Sequence, residues 1–148
     1  VHFITGGAFN GKRKWVKNHY AQEHCLWLSA YDGNTLKKQC NEALPEVVVL
    51  EGLEEWVNIQ IDPAILPDKQ CREMMQEIEP WLAWEKADSR RRLVIIGTDI
   101  SKGIVPANKE ERMWRDMTGW LYQRLAAKAE RVDLIWYGIE QTIKRERF

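Results

Sequence analysis

The stretch Ile4-Thr5-Gly6-Gly7-Ala8-Phe9-Asn10-Gly11-Lys12-Arg13 decides how the rest of the chain is read. Gly6, Gly11 and Lys12 supply G-x-x-x-x-G-K, the first seven positions of a phosphate-binding loop. A short apolar run, Val1 to Ile4, precedes the loop, and a helical pattern from Lys14 to Glu23 follows it. Strand, glycine loop and helix together give the motif a mechanism. Backbone N–H groups line a concave nest, the helix N-terminus adds positive potential, and Lys12 offers a point charge to phosphate oxygens. The nucleotide-binding residues expected on this reading are Gly6, Gly7, Ala8, Phe9, Asn10, Gly11, Lys12 and Arg13, with Lys12 also catalytic. The eighth position departs from the motif. A Ser or Thr should follow the lysine and ligate Mg2+ through its hydroxyl; this chain has Arg13.

Outward from the loop, four further apolar runs read as strands. His24 to Ala30, Val47 to Leu50, Leu93 to Asp99 and Val132 to Gly138 are mostly apolar, as strands buried on both faces are. Gln141 to Lys144 is a candidate edge strand. Between them lie helical patterns: Thr35 to Ala43, Leu53 to Ile61, a long helix capped by Asp68 and running towards Ala87, and Asn108 to Arg131. Pro80 should kink or restart the third of these. Strands alternating with helices predict one α/β domain, residues 1–148, a P-loop nucleotide-binding domain with a mainly parallel sheet flanked by helices. Ligands in such sheets sit at the carboxyl ends of the strands. That rim carries the glycine loop, Ser29, Glu51, Thr98 and Asp99.

Val47-Val48-Val49-Leu50 running into Glu51 is the pattern of a Walker B strand, so Glu51 is the expected catalytic acid and Mg2+ ligand. The other reading of Glu51 is a helix cap or surface acid. Trp81, Trp84, Trp114 and Trp120 are candidates to line a ligand cleft, among eight tryptophans most of which must fill the core.

Composition narrows the function. Lys+Arg 22 against Asp+Glu 22 leaves no net charge, which argues against a general nucleic-acid or membrane-surface binder and makes any phosphate site local. Arg90-Arg91-Arg92 reads as a solvated turn entering a strand rather than a nucleic-acid patch. Three widely spaced cysteines and three histidines, without C-x-x-C, fit neither a disulfide framework nor zinc. No run is long enough to span a membrane and no signal peptide is visible, so the expectation is a soluble cytoplasmic protein.

Thr5-Gly6-Gly7-Ala8 with Gly11-Lys12, then Gly103-Ile104-Val105-Pro106, Arg115-Asp116, Gly119 and Gln123-Arg124-Leu125-Ala126-Ala127 resemble the adenosylcobinamide kinase / adenosylcobinamide-phosphate guanylyltransferase family of cobalamin biosynthesis. The resemblance covers the start of the chain and the part from about Leu93 to Lys144. It implies a RecA-like P-loop fold, phosphorylation of the aminopropanol hydroxyl of adenosylcobinamide by GTP or ATP, and a second reaction through a guanylylated histidine. It also implies a homotrimer and a corrinoid partner. Gly6, Gly7, Ala8, Gly11 and Lys12 would hold phosphates, Glu51 would be the metal-side acid, and Gly103 to Pro106 would shape a neighbouring loop. Two positions depart from the family. Its loop carries Ser where Arg13 stands, which weakens the Mg2+ expectation. Its guanylylated histidine lies after the second strand, and Tyr31 to Pro45 contains no histidine. The expectation is therefore a shortened, divergent member that binds a purine nucleotide and has lost the guanylyltransferase half-reaction. The alternatives are a non-catalytic nucleotide-binding or assembly protein of the same fold, or a P-loop kinase for another small alcohol.

Overall fold

Among the described residues six strands and four α-helices make up the fold, the last two strands forming a hairpin. The computed structural model describes residues 1–36, 43–101 and 108–146. In chain order these form β1 (His2–Gly6), α1 (Lys12–His19), β2 (Cys25–Ser29), β3 (Val47–Glu51), α2 (Leu53–Gln60), α3 (Pro67–Lys86), β4 (Arg92–Thr98), α4 (Lys109–Lys128), β5 (Arg131–Trp136) and β6 (Ile139–Arg145). The strand order is β2-β3-β4-β1-β5-β6. All neighbours are parallel except β5 and β6, which form an antiparallel hairpin. Ile4, Trp27, Val48, Ile95 and Ile135 all lie in strands as expected. Strand β4 sits between the glycine-loop strand β1 and the Glu51 strand β3, the RecA-like arrangement of a P-loop domain.

The apolar runs are continuous because both faces of the sheet are covered. Phe3, Val48, Leu50, Leu93 and Ile95 point into one core with α2, α3 and α4. Ile4, Val47, Val49, Val94 and Ile96 point the other way, against Val16 of α1. Each fully buried aliphatic side chain of this kind contributes about 1.5–3 kcal/mol, so the central strands rather than the short helix α1 hold the loop in place.

Several boundaries differ from the sequence reading. Helix α3 begins at Pro67, with Asp68 inside its first turn rather than capping it. Proline at the first helical position loses only an N–H that has no partner there anyway. The helix then runs through Pro80 without a break. Pro80 is exposed, so water can satisfy the carbonyl it leaves free, while buried Ile78 and Trp81 on either side anchor the helix. Helix α4 ends at Lys128 because Arg131 already pairs with His2 as the first residue of β5. Its start is secured by Asn108, whose Oδ1 accepts from Glu110 N at 2.7 Å and Glu111 N at 3.3 Å. The fifth strand stops at Trp136, and Tyr137-Gly138 make the turn into β6. The short helix expected from Thr35 to Ala43 and the loop Gly103 to Pro106 fall wholly or mainly outside the described residues. Among the described residues no helix is long and apolar enough to cross a membrane.

At the amino end of the sheet, His2 is buried between Asp133 and Tyr20. Its Nε2–H donates to Asp133 Oδ2 at 2.5 Å, and Tyr20 O–H donates to its Nδ1 at 2.6 Å. Thr142 and Arg131 also engage Asp133. Burial pushes the His2 pKa down from 6.5 to about 4, against the pull of Asp133. The neutral ring is therefore the folded form, and an unfolded chain binds the proton first as pH falls. Stability from this group is complete above pH 6.5 and is lost as pH falls towards about 4. Urea unfolding at about pH 7.5 and about pH 5 should show the loss, with a shallower pH slope in His2→Gln. An equal slope in the variant would place the acid sensitivity elsewhere.

Candidate nucleotide site

The site is built where β1 ends. Gly6 has φ of 149°, and a Cβ there would lie 2.5 Å from the carbonyl oxygen of Ile135 on the neighbouring strand. Only glycine lets the chain leave the sheet so close to β5. Asp99 N–H, just past β4, donates to Gly6 O at 2.8 Å and fixes the loop's first residue to the sheet rim. Gly11, with φ of 86°, is the residue on which α1 starts, so Lys12 and Arg13 stand in its first turn. Lys12 is buried, and its Nζ donates back to Gly7 O at 2.8 Å across the loop. Burial lowers the Lys12 pKa, while the carboxylates of Glu54, Glu51 and Asp99 pull it up.

Arg13 and Glu51 form the decisive contact. Arg13 Nε and Nη2 donate to the two carboxylate oxygens of Glu51 at 2.9 and 2.8 Å, a fork-to-fork pair. Glu51 is buried and Arg13 is half exposed. Donation to the Glu51 carboxylate, together with its charge, holds the guanidinium above its ordinary pKa. Asp32 lies 3.7 Å from Nη2, and the Trp27 ring lies 5.8 Å from Cζ. Arginine has five donors and Glu51 takes two, so part of the guanidinium still faces the cleft.

That cleft has a volume of about 920 Å3. The glycine loop and α1 make one wall; Tyr31, Glu51, Glu54 and Trp114 make the other. Ala8, Phe9, Gly11, Lys12 and Arg13 all border it. Gly6, Gly7 and Asn10 belong to the same loop, with Asn10 turned to the β5–β6 turn. Ser29 closes the end of β2 but is buried. Of the four tryptophans that were candidates to line a cleft, Trp114 lines it and donates from Nε1 to Glu54 O at 2.7 Å. Trp81 and Trp84 are instead buried in the core, where they pack edge to face. Trp120 packs partly buried against that core under Arg124. Their placement follows from α3 and α4 crossing the same face of the sheet, which helical spacing alone does not show.

Glu54 was not expected. It is buried, its Oε1 accepts from Thr98 N–H at 2.9 Å, and its Oε2 accepts from Tyr31 O–H at 2.5 Å. Burial and this bond raise the Tyr31 pKa, so its proton stays on. An acid in the first turn of α2 reads in the sequence as a favourable helix-dipole charge. Its spacing of three from Glu51, just after Gly52, was the available clue.

A model of cobinamide kinase / cobinamide phosphate guanyltransferase matches residues 8–143, from within the glycine loop into β6. The chain belongs to that family. It is 42% identical over 53 residues to the bifunctional adenosylcobalamin biosynthesis protein CobU of Salmonella typhimurium, covering 36% of this chain and 29% of that protein. It is 31% identical over 55 residues to the bifunctional adenosylcobalamin biosynthesis protein CobP of Pseudomonas aeruginosa, covering 37% of this chain and 32% of that protein. These alignments thus span about a third of either relative's length or less.

The P-loop fold implies Mg2+ held by the loop hydroxyl and the strand-end acid. The residues present do not fit that ion. Arg13 has no hydroxyl, and both oxygens of Glu51 accept from its guanidinium. The expected roles of Glu51 as metal ligand and as catalytic acid therefore conflict with the pairing in the structure.

Proposed function

We propose that this family member binds a purine nucleoside triphosphate in the glycine loop and transfers its terminal phosphoryl group to a hydroxyl of a cobinamide-like corrinoid. The observation that carries the reading is Lys12 and Arg13 together on the first turn of α1, with Arg13 braced by Glu51 over the cleft. Phosphoryl transfer asks the protein mainly to position the phosphates and neutralise charge. Lys12 supplies a mobile point charge and the guanidinium a fixed planar one. The loop's backbone N–H groups and the N-terminus of α1 add to both.

The guanylyltransferase half-reaction is absent on this reading. Covalent nucleotidyl transfer needs an imidazole in line with the α-phosphate. No histidine lines the cleft among the described residues. His2 and His19 border a small cavity with Tyr20 and Arg131 at the other end of the sheet, and His24 is exposed before β2.

The Arg13–Glu51 pair also favours a second reading, in which the chain keeps the nucleotide site without catalysis. Turnover separates the two. Incubation with cobinamide and GTP or ATP should give acceptor-dependent nucleoside diphosphate, and GTP labelled at the α-phosphate should leave no label on the denatured protein. Nucleotide binding without any acceptor-dependent product would favour the non-catalytic reading. Acid-labile label on the protein would contradict the loss of the transferase.

A further inference from the structure

We propose that Phe9 and Tyr137 form an aromatic platform on which the base of the bound nucleotide stacks; this rests on the reading of the glycine loop as a nucleotide site. Among the described residues, these two are the non-glycine residues with positive φ, 60° and 51°. Bulky side chains rarely adopt that region. Both are also strongly exposed, Phe9 at 105% and Tyr137 at 86% of the reference surface. The φ of Tyr137 is set by the two-residue β5–β6 turn, which takes positive φ at both positions, Gly138 having φ of 74°. Packing accounts neither for the φ of Phe9 nor for the exposure of the two rings.

Position supplies the account. Phe9 lies within the glycine loop, and Tyr137 heads the β5–β6 turn at the same rim of the sheet. The turn is clasped to the loop. Tyr137 N–H donates to Asn10 Oδ1 at 3.3 Å, and Gly138 N–H donates to Asn10 O at 2.8 Å. Gly138 Cα comes within 3.3 Å of where a Cβ on Gly11 would be, so the two backbones touch. Phe9, which borders the cleft, and Tyr137 are thus two exposed aromatic residues joined through Asn10 at the loop where the phosphates would lie. A nucleotide is the ligand that brings a flat apolar group and phosphates to one such place.

The same geometry says how the base is chosen. The Asn10 side-chain oxygen is used by the clasp, so this amide does not read a base edge through it. Stacking depends on the π-face that every base has. The platform therefore favours the larger purine face over pyrimidines and separates GTP from ATP only weakly.

The test uses Phe9→Asn, Tyr137→Asn and the double variant. Asparagine removes the ring and tolerates positive φ, so the fold should be kept or made more stable. Each protein is titrated by calorimetry with GTP, ATP, CTP and inorganic tripolyphosphate, and its oligomeric state is read by sedimentation. The expected result is wild-type affinity for GTP and ATP within a few-fold of each other and above CTP. The double variant should lose roughly tenfold or more for both purine nucleotides, with tripolyphosphate binding unchanged. Unchanged nucleotide affinity in the double variant, with tripolyphosphate still bound, overturns the platform and leaves the loop reading standing. Failure of the wild type to bind either GTP or tripolyphosphate overturns both. Association of the wild type that the double variant abolishes, with nucleotide affinity unchanged, makes the rings a contact between copies and also overturns the proposal.

Discussion

Lys12→Ala should weaken GTP binding by about 1–3 kcal/mol, the range for losing a charge-assisted hydrogen bond to phosphate. The lysine is buried and already within the loop, at 2.8 Å from Gly7 O, so it needs little rearrangement to reach a phosphate. Its charge matters more than its packing, since the carboxylates of Glu54, Glu51 and Asp99 act on the same ammonium. Without it, those acids would face the phosphates with only Arg13 to offset them. Calorimetric titration of wild type and variant, with circular dichroism to confirm the fold, measures the loss. Equal affinities would mean that the loop does not hold phosphates.

Arg13→Ser should change the cation requirement. The substitution removes the fork from Glu51 and supplies the hydroxyl that the loop lacks. A surface ion pair contributes about 0–1 kcal/mol, whereas stranding a buried charge costs about 3–5 kcal/mol. The Arg13–Glu51 pair lies between these limits, because Glu51 is buried and Arg13 is half exposed. The variant should lose roughly tenfold or more in GTP affinity without Mg2+, as a charged hydrogen bond is lost, and regain much of it when Mg2+ is added. Its melting temperature should also rise with Mg2+, while that of the wild type does not. A variant indifferent to Mg2+ would show that Glu51 is not placed to serve the phosphates.

Much of the fold was legible because the strands are buried on both faces. Continuous runs such as Val47 to Leu50 suit a strand covered on both faces. The glycine loop was legible because Gly6 and Gly11 occupy positions where the backbone permits little else. Glu51 was placed correctly at the rim beside the loop, but its partner was not. Arg13 and Glu51 are 38 positions apart, and only the parallel stacking of β3, β4 and β1 brings them together. Glu54 was hidden for a similar reason: its burial depends on Tyr31, from the short turn after β2, and Thr98, at the end of β4, closing over it. Pro80 misled because its effect depends on whether the face it occupies is wet. The positive φ of Phe9 had no sequence signal, whereas that of Tyr137 follows from the two-residue turn Tyr137-Gly138, which the sequence reading placed inside the fifth strand.

On the proposed reading the Arg13 guanidinium stands in the place of the divalent cation. Titration of the wild-type chain with GTP, once with Mg2+ and once with a chelator, tests this most directly. The account predicts affinities within about threefold of each other, a difference below 1 kcal/mol. Binding that disappears in chelator would contradict it, because Arg13 would then have to leave Glu51 and yield that carboxylate to the metal.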